Sequence, residues 1–239
     1  LAVETLCYLA SRTLSGAAKV VVAHVSDPAC LKRIAERRLQ GVNIFAETMP
    51  HYLYLTYKDL EEKGPFVKFT PTVRSPEVVA EMWQCLNRGL IHNVSTDHAP
   101  QPRELIEKGI GDIWQSPLVT GANIEVGSRL MFNAVNQGKT TLEKVAELMA
   151  EGPARIYGLW PKKGTIQVGA DADLVVVDME REETISPDWV VSKGGWTMYD
   201  GKTLKGAPVM TFLRGRLIYR EGEILGEAGG GGFVTRSGA

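Results

Sequence analysis

The residues of this sequence that could do chemistry stand at the ends of apolar runs. His24 follows the run at 20–23, and Asp97 and His98 end the stretch LIHNVSTDH at 90–98, with prolines at 100 and 102 behind them. A carboxylate at the tip of a buried strand must be paired, hydrogen-bonded or coordinated to offset its desolvation. A salt bridge would satisfy Asp97, and a strand-end histidine can be purely structural. Imidazole and carboxylate are also ordinary ligands of zinc, so the pattern allows a divalent metal site and leaves both structural alternatives open.

The elements that must position these residues alternate between strand and helix. KVVVAHVS at 19–26, VNIFAE at 42–47 and LIHNVST at 90–96 predict three strands. Asp27 and Ser75, each followed by proline, predict the starts of two intervening helices, which glycines 41 and 89 end. This alternation predicts right-handed βαβ units and a parallel sheet covered by helices. Chemistry in such folds gathers at the carboxyl ends of the strands, which is where His24, the segment 47–51 and Asp97 fall.

The rest of the chain divides by composition. A helix is predicted at the start, two more at 122–136 and 141–150, and a short one at 153–159. From 161 the pattern becomes turn, strand, turn, strand, and 207–224 predicts a hairpin that turns at Arg214 and Gly215. We therefore predict an α/β domain at 1–160, a β-rich domain at 161–228 and a flexible, glycine-rich tail at 229–239.

Composition restricts the classes of partner. The formal net charge is -1 and neither sign clusters, which argues against a binder of nucleic acid or of anionic membranes and favours small molecules. The apolar runs have strand length, too short to span a bilayer. Cys7, Cys30 and Cys85 form no CxxC pair, which argues against a disulfide framework and predicts a cytoplasmic location.

Five blocks of this sequence resemble the cyclic amidohydrolases, the family of dihydroorotase, hydantoinase, dihydropyrimidinase and allantoinase. They are VVAHVS, AETMPHYL, STDHAP, GPARIYGLWPKKGTIQVGADADLVVVD and TMYDGKTLKGAPVMTFLRGRLIYREGEI, and they follow one another in family order over nearly the whole chain. The resemblance implies a partial (β/α)8 TIM-type barrel, in which the three predicted strands match barrel strands six to eight. A small β-sandwich subdomain would follow it.

The same resemblance implies roles for single residues. His24 matches a metal-binding histidine, and Asp97 matches an aspartate that binds metal and acts as general base. Two zinc ions would activate a water and polarise the carbonyl of a cyclic amide or ureide, and Asp97 would pass the proton to the leaving nitrogen. His51 and Arg74 are candidates for the substrate end, although His51 could simply tie its loop and Arg74 could be a surface or capping charge. Thr120 begins a segment that resembles a substrate-contacting loop of hydantoinases.

Other ligands that the family uses are missing from this chain. The resemblance implies a His-x-His on the first barrel strand, a carboxylated lysine on the fourth and another histidine on the fifth, and none of these is present, so two expected metal ligands remain. Two protein ligands rarely hold a catalytic zinc. The chain also starts at Leu1 rather than at methionine. We therefore expect the C-terminal part of a longer hydrolase, inactive alone, with no zinc or partial zinc, and forming homo-oligomers through exposed strand edges.

Several functions stay open at this point. Gln101 stands where many dihydroorotases carry a histidine, while ETMPHYL and TMYDGKTLKG are closer to allantoinase and hydantoinase blocks. The alternative from another class is a non-catalytic amidohydrolase-like scaffold or subunit partner. A deacetylase-like or imidazolonepropionase-like enzyme of the wider superfamily is disfavoured by the ETMPHYL block.

Overall fold

The computed structural model describes residues 1–12, 18–118 and 123–236, which form two compact units. The first unit comprises Leu1–Gly127 and Thr184–Lys202, and the second comprises Ser128–Glu183 and Thr203–Ala239. Within the described ranges, no helix is both long and apolar enough to cross a membrane.

The first unit alternates short strands with helices. Its elements, in chain order, are α1 (Ala2–Ser11), β1 (Val20–Val22), α2 (Pro28–Leu39), β2 (Ile44–Thr48), α3 (Pro50–Tyr54), α4 (Tyr57–Lys63), α5 (Pro76–Asn87), β3 (Asn93–Val94) and α6 (Arg103–Glu107). The predicted caps are confirmed, because the carboxylate of Asp27 accepts a hydrogen bond from the amide of Ala29 and the hydroxyl of Ser75 accepts one from the amide of Val78. Each helix has proline in its first turn, where the missing N–H costs nothing.

The three strands form one parallel sheet in the order β1-β2-β3. Val22 lies beside Ala46, and Thr48 lies beside Val94. The strands are shorter than predicted, but their carboxyl ends share one edge, as parallel pairing requires. Helices cover the sheet with side chains that have no solvent exposure, among them Leu31, Ile34, Met82 and Leu86.

The second unit combines helices with an antiparallel sheet. Helix α7 (Asn123–Asn136) begins in the first unit and continues into the second, which also contains α8 (Leu142–Ala146), a π-helical turn at Glu147–Glu151 and α9 (Gly152–Tyr157). The sheet has the order β4 (Leu174–Thr184), β5 (Thr203–Leu213), β6 (Arg216–Arg220) and β7 (Glu223–Ile224). The hairpin between β5 and β6 turns at Arg214 and Gly215, as predicted.

The strand predicted within 165–168 is wrong. Ile166 and Val168 are 86% and 104% exposed, and the backbone around them makes turn bonds, such as that from the amide of Ala170 to the carbonyl of Gln167. A β-branched run becomes a strand only when a neighbouring strand accepts and donates its backbone bonds. None of the strands in the described ranges pairs with this segment.

Candidate functional site

Three predicted site residues follow the three parallel strands at their shared carboxyl edge. His24 lies two residues after β1, His51 lies in α3 directly after β2, and Asp97 lies three residues after β3. Arg74, the fourth, precedes α5. The topology therefore delivers side chains that are far apart in sequence to one edge of the sheet.

His24 and Asp97 share an unusual backbone conformation. Their φ angles are 42° and 48°, in the left-handed region that L-residues rarely adopt. Only two other non-glycine residues in the described ranges have positive φ, Arg214 and Glu221, and both lie in hairpin turns. Left-handed residues outside turns cost free energy and concentrate at functional sites.

The rings of His51 and Tyr52 lie together at this edge, with centroids 4.2 Å apart. Burial, and then the charge of His24, lower the pKa of His51 to about 3. Burial, and then the negative charge of Asp97, raise the pKa of the Tyr52 phenol above its usual range, and Arg74 opposes that shift. The charges of His24, Asp97 and Arg74 therefore act on this pair of rings.

His51 is fully buried and neutral near pH 7. Its ring stacks on Phe69 with centroids 4.2 Å apart and planes 6° from parallel. Its Nδ1 lies 3.4 Å from Nδ2 of Asn123, while its Nε2 has no hydrogen-bond partner among the described residues. A buried ring nitrogen without a partner is costly, so this nitrogen is a feature that a ligand or a water at the site could satisfy.

Arg74 is fixed by both its backbone and its side chain. Its Nε donates to the hydroxyl of Ser26 at 3.2 Å, and its carbonyl accepts from the amide of Tyr57. Because Ser26 lies two residues after His24, this bond holds the guanidinium on the His24 side of the edge. A surface or capping charge therefore stays an alternative for Arg74 beside the substrate role.

The Asp97 carboxylate is half-buried and forms no ion pair with any residue that the structure describes. The salt bridge that the sequence allowed is thus absent from the described ranges. His24 and Asp97 supply an imidazole and a carboxylate, which fit a divalent metal in donor type. The described residues contain no cluster of three or more His, Cys, Asp or Glu that could hold a metal, so these two donors form part of a site and not a complete one. Thr120 lies outside the described residues.

Sequence reasoning missed the side chains that hold the residues on either side of Asp97. Nδ1 of His98 accepts hydrogen bonds from the amides of Asn123 and Ile124, at 3.1 and 3.2 Å. Nδ2 of Asn123 donates to the carbonyl of Thr96 at 3.0 Å. The partners lie more than 20 residues apart, and no spacing rule connects a strand tip with the first turn of a later helix.

The chain is similar to known proteins over most of its length. The model of the amidohydrolase family matches residues 16–218. The chain is 38% identical over 220 residues to an L-hydantoinase of Paenarthrobacter aurescens, covering 91% of this chain and 48% of the relative. It is 34% identical to a dihydroorotase of Pyrococcus furiosus and 32% identical to an allantoinase of Desulfitobacterium hafniense, with 90% and 87% of this chain covered and 48% and 46% of those relatives.

Solved structures give the same result. An L-hydantoinase from Arthrobacter aurescens superposes with a TM-score of 0.94 at 35% identity, covering 98% of this chain and 51% of the other. A D-hydantoinase superposes with a TM-score of 0.90 at 33% identity, with the same coverage. The chain thus spans about half the length of the relatives that it matches.

Proposed function

Because this chain belongs to the amidohydrolase family, we propose that it is part of a metal-dependent hydrolase that opens small cyclic amides or ureides at a C–N bond. The observation that carries the proposal is the pair His24 and Asp97, two donors in left-handed backbone at the carboxyl edge of one parallel sheet. Relatives named hydantoinase, dihydroorotase and allantoinase support the substrate class.

The proposed architecture follows from the same relationship. The strands β1, β2 and β3 would be strands six to eight of a (β/α)8 barrel within a domain at 1–160, and 161–228 would be the β-sandwich subdomain. The remaining barrel strands would come from a part of the protein beyond this chain. We further propose that the protein works in the cytoplasm as a homo-oligomer.

The metal that we propose is zinc, two ions in the complete enzyme. His24 and Asp97 would hold it together with ligands from outside this chain, because a catalytic zinc needs at least three protein ligands. Bound there, the metal would polarise the ring carbonyl and make water a nucleophile near neutral pH. The 239-residue chain alone should hold little zinc and open no ring.

The residues of this chain would handle the proton and the substrate. Asp97 would take the proton from the attacking water and deliver it to the ring nitrogen that leaves, because its carboxylate is half-buried at the edge and carries no competing ion pair within the described ranges. Arg74, held by Ser26, and His51 would lie at the substrate end. Thr120 is proposed for the same end on the resemblance alone.

The test uses the protein encoded by the complete reading frame that contains this chain. Wild-type protein loaded with zinc should open at least one of hydantoin, allantoin, dihydrouracil and dihydroorotate, each followed by loss of ring absorbance. Asp97→Asn should lower kcat by at least about a hundredfold, the lower range for a lost acid–base group. Asp188→Asn, an exposed aspartate of the same unit, is the matched control and should keep wild-type turnover.

The same assay addresses the alternative, a non-catalytic amidohydrolase-like scaffold or subunit partner. A complete reading frame without further strand-end histidines, and a protein that opens none of the four rings with zinc, would establish the scaffold. Unchanged turnover in Asp97→Asn would instead remove Asp97 from the acid–base role while leaving the enzyme class in place.

A further inference from the structure

Helix α7 makes hydrogen bonds to the residues on both sides of Asp97, Thr96 and His98. The side chain of Asn123, the first residue of the helix, donates to the carbonyl of Thr96 at 3.0 Å. The amides of Asn123 and Ile124 both donate to Nδ1 of His98. The first N–H groups of a helix have no partner within it, so His98 satisfies two of them from outside.

The helix also approaches the strand tip closely one turn later. Gly127 lies on the same face as Asn123, four residues on, and a Cβ at Gly127 would lie 3.3 Å from Cγ2 of Thr96. Glycine therefore permits the close contact that brings Asn123 within hydrogen-bond distance of the Thr96 carbonyl. Packing and hydrogen bonding therefore both act on Thr96.

Asp97, which lies between Thr96 and His98, is the residue whose backbone conformation needs support. Asp97 has a φ of 48°, and strained backbone persists only where its surroundings over-determine it. Its carboxylate makes no ion pair with the described residues that could fix it instead. Among the described residues, α7 restrains Thr96 and His98, and the amide of Ser95 donates to the carbonyl of Thr48.

We propose that Asn123 is a positioning residue, which holds Thr96 and His98 so that the carboxylate of Asp97 faces the reacting atoms. This inference rests on the proposed function, because it assigns to Asn123 a role that acts through the general base. His98 shares the role as an acceptor at Nδ1, which places the hydrogen of its neutral ring on Nε2.

The first experiment needs no activity. Amide hydrogen exchange is measured at Ser95 and Ile124, whose amides donate to the Thr48 carbonyl and to Nδ1 of His98. The 239-residue chain is compared as wild type, as Asn123→Ala and as Asn87→Ala, an exposed asparagine in the same unit. Asn123→Ala should accelerate exchange at both amides about tenfold or more, because local opening governs protection. Asn87→Ala should leave it unchanged. Unchanged protection in Asn123→Ala overturns the positioning role, whatever the activity.

The second experiment asks whether Asn123 acts through Asp97, in the protein from the complete reading frame. Asn123→Ala should lower kcat about 10- to 100-fold, with KM within about twofold, as expected for loss of an interaction needed only for the chemical step. In an Asp97→Asn background the same substitution should cost nothing more, because coupled residues are not additive. A raised KM with unchanged kcat, or a full further loss in the double variant, would overturn the positioning role.

The two experiments distinguish a failure of the proposed hydrolase function from a failure of the positioning role of Asn123. If the wild-type protein opens no ring, the proposed function fails, and the exchange experiment still decides whether Asn123 holds the tip. Asn123→Asp gives a second check against simple unfolding, since an acidic residue in the first turn stabilises a helix but a carboxylate cannot donate to the Thr96 carbonyl. It should keep thermal stability and lose protection at Ser95 and Ile124; retained protection would overturn the positioning role.

Discussion

The left-handed backbone at Asp97 predicts an inverted order of stability for two substitutions. For an L-residue the left-handed region costs about 1–2 kcal/mol, which glycine does not incur. Glycine loses about 0.4–1 kcal/mol relative to alanine because its unfolded chain is more flexible. The midpoints of these ranges leave Asp97→Gly about 0.8 kcal/mol more stable than Asp97→Ala, within limits of about 0 to 1.6 kcal/mol. Both substitutions remove the carboxylate, so the comparison isolates the backbone.

The assay is urea and thermal unfolding of the 239-residue chain, followed by tryptophan fluorescence. Trp83 and Trp196 are buried in the same unit as Asp97 and report its unfolding. For a chain of this size, the expected difference corresponds to a melting temperature about 1–4 °C higher for Asp97→Gly than for Asp97→Ala.

Ala99 provides the control two residues away. It is exposed and is absent from the positive-φ residues, so Ala99→Gly should lose about 0.4–1 kcal/mol, the ordinary sign of that exchange. If Asp97→Gly is no more stable than Asp97→Ala, residue 97 lies in ordinary backbone. Residue 97 would then have no backbone strain that could indicate a functional site.

Three further perturbations test separate parts of the structure. The pKa of His51 is about 3 in the folded chain and about 6.5 in the unfolded chain. Between these pH values the unfolded chain therefore binds the proton that the folded chain does not. The free energy of unfolding should fall as the pH drops through this range, by up to about 1.4 kcal/mol per pH unit. His51→Gln should flatten that dependence in urea titrations at about pH 7 and pH 5, and an unchanged slope would contradict the buried neutral imidazole. Trp83→Phe removes the donor to the Leu53 carbonyl and should cost about 1–3 kcal/mol in urea unfolding, whereas Trp114→Phe, at an 82% exposed position, should stay within about 0.5 kcal/mol. Gly206→Ala would put a Cβ 2.7 Å from that of Phe132 at a φ of 102° and should lower the melting temperature by several degrees, while Gly231→Ala, with nothing within 4 Å, should not.

Features that depend on neighbours in sequence were predictable. The caps at Asp27 and Ser75 involve amides two and three residues away, and the hairpin at Arg214 and Gly215 is set by its own turn. The alternation of strand and helix likewise indicated a parallel sheet, because strand-length apolar runs separated by capped helices have few other arrangements. Strand lengths and the failed strand at 165–168 depended on partners, which local propensity does not encode.

The contacts that build the candidate site are long-range. Arg74 reaches Ser26 across 48 residues, and His98 accepts from a helix that begins 25 residues later. These bonds arise because parallel topology returns each strand end to one edge, and the sequence contains the residues but not the pairing. Asn123 gave no local signal, since an asparagine near a helix start is equally suited to an ordinary cap.

The φ angles of His24 and Asp97 distinguish between interpretations that the residue types alone left open. The sequence allowed a structural histidine at residue 24 and a salt-bridged carboxylate at residue 97, and neither alternative has any need of a left-handed conformation. The structure gives both residues that conformation and gives Asp97 no ion pair within the described ranges. Donor chemistry and backbone strain are independent properties, so their coincidence at the same two residues favours a ligand role over either alternative. Such strain is retained where side-chain placement matters more than local stability, and the metal and proton roles proposed for Asp97 would impose that requirement.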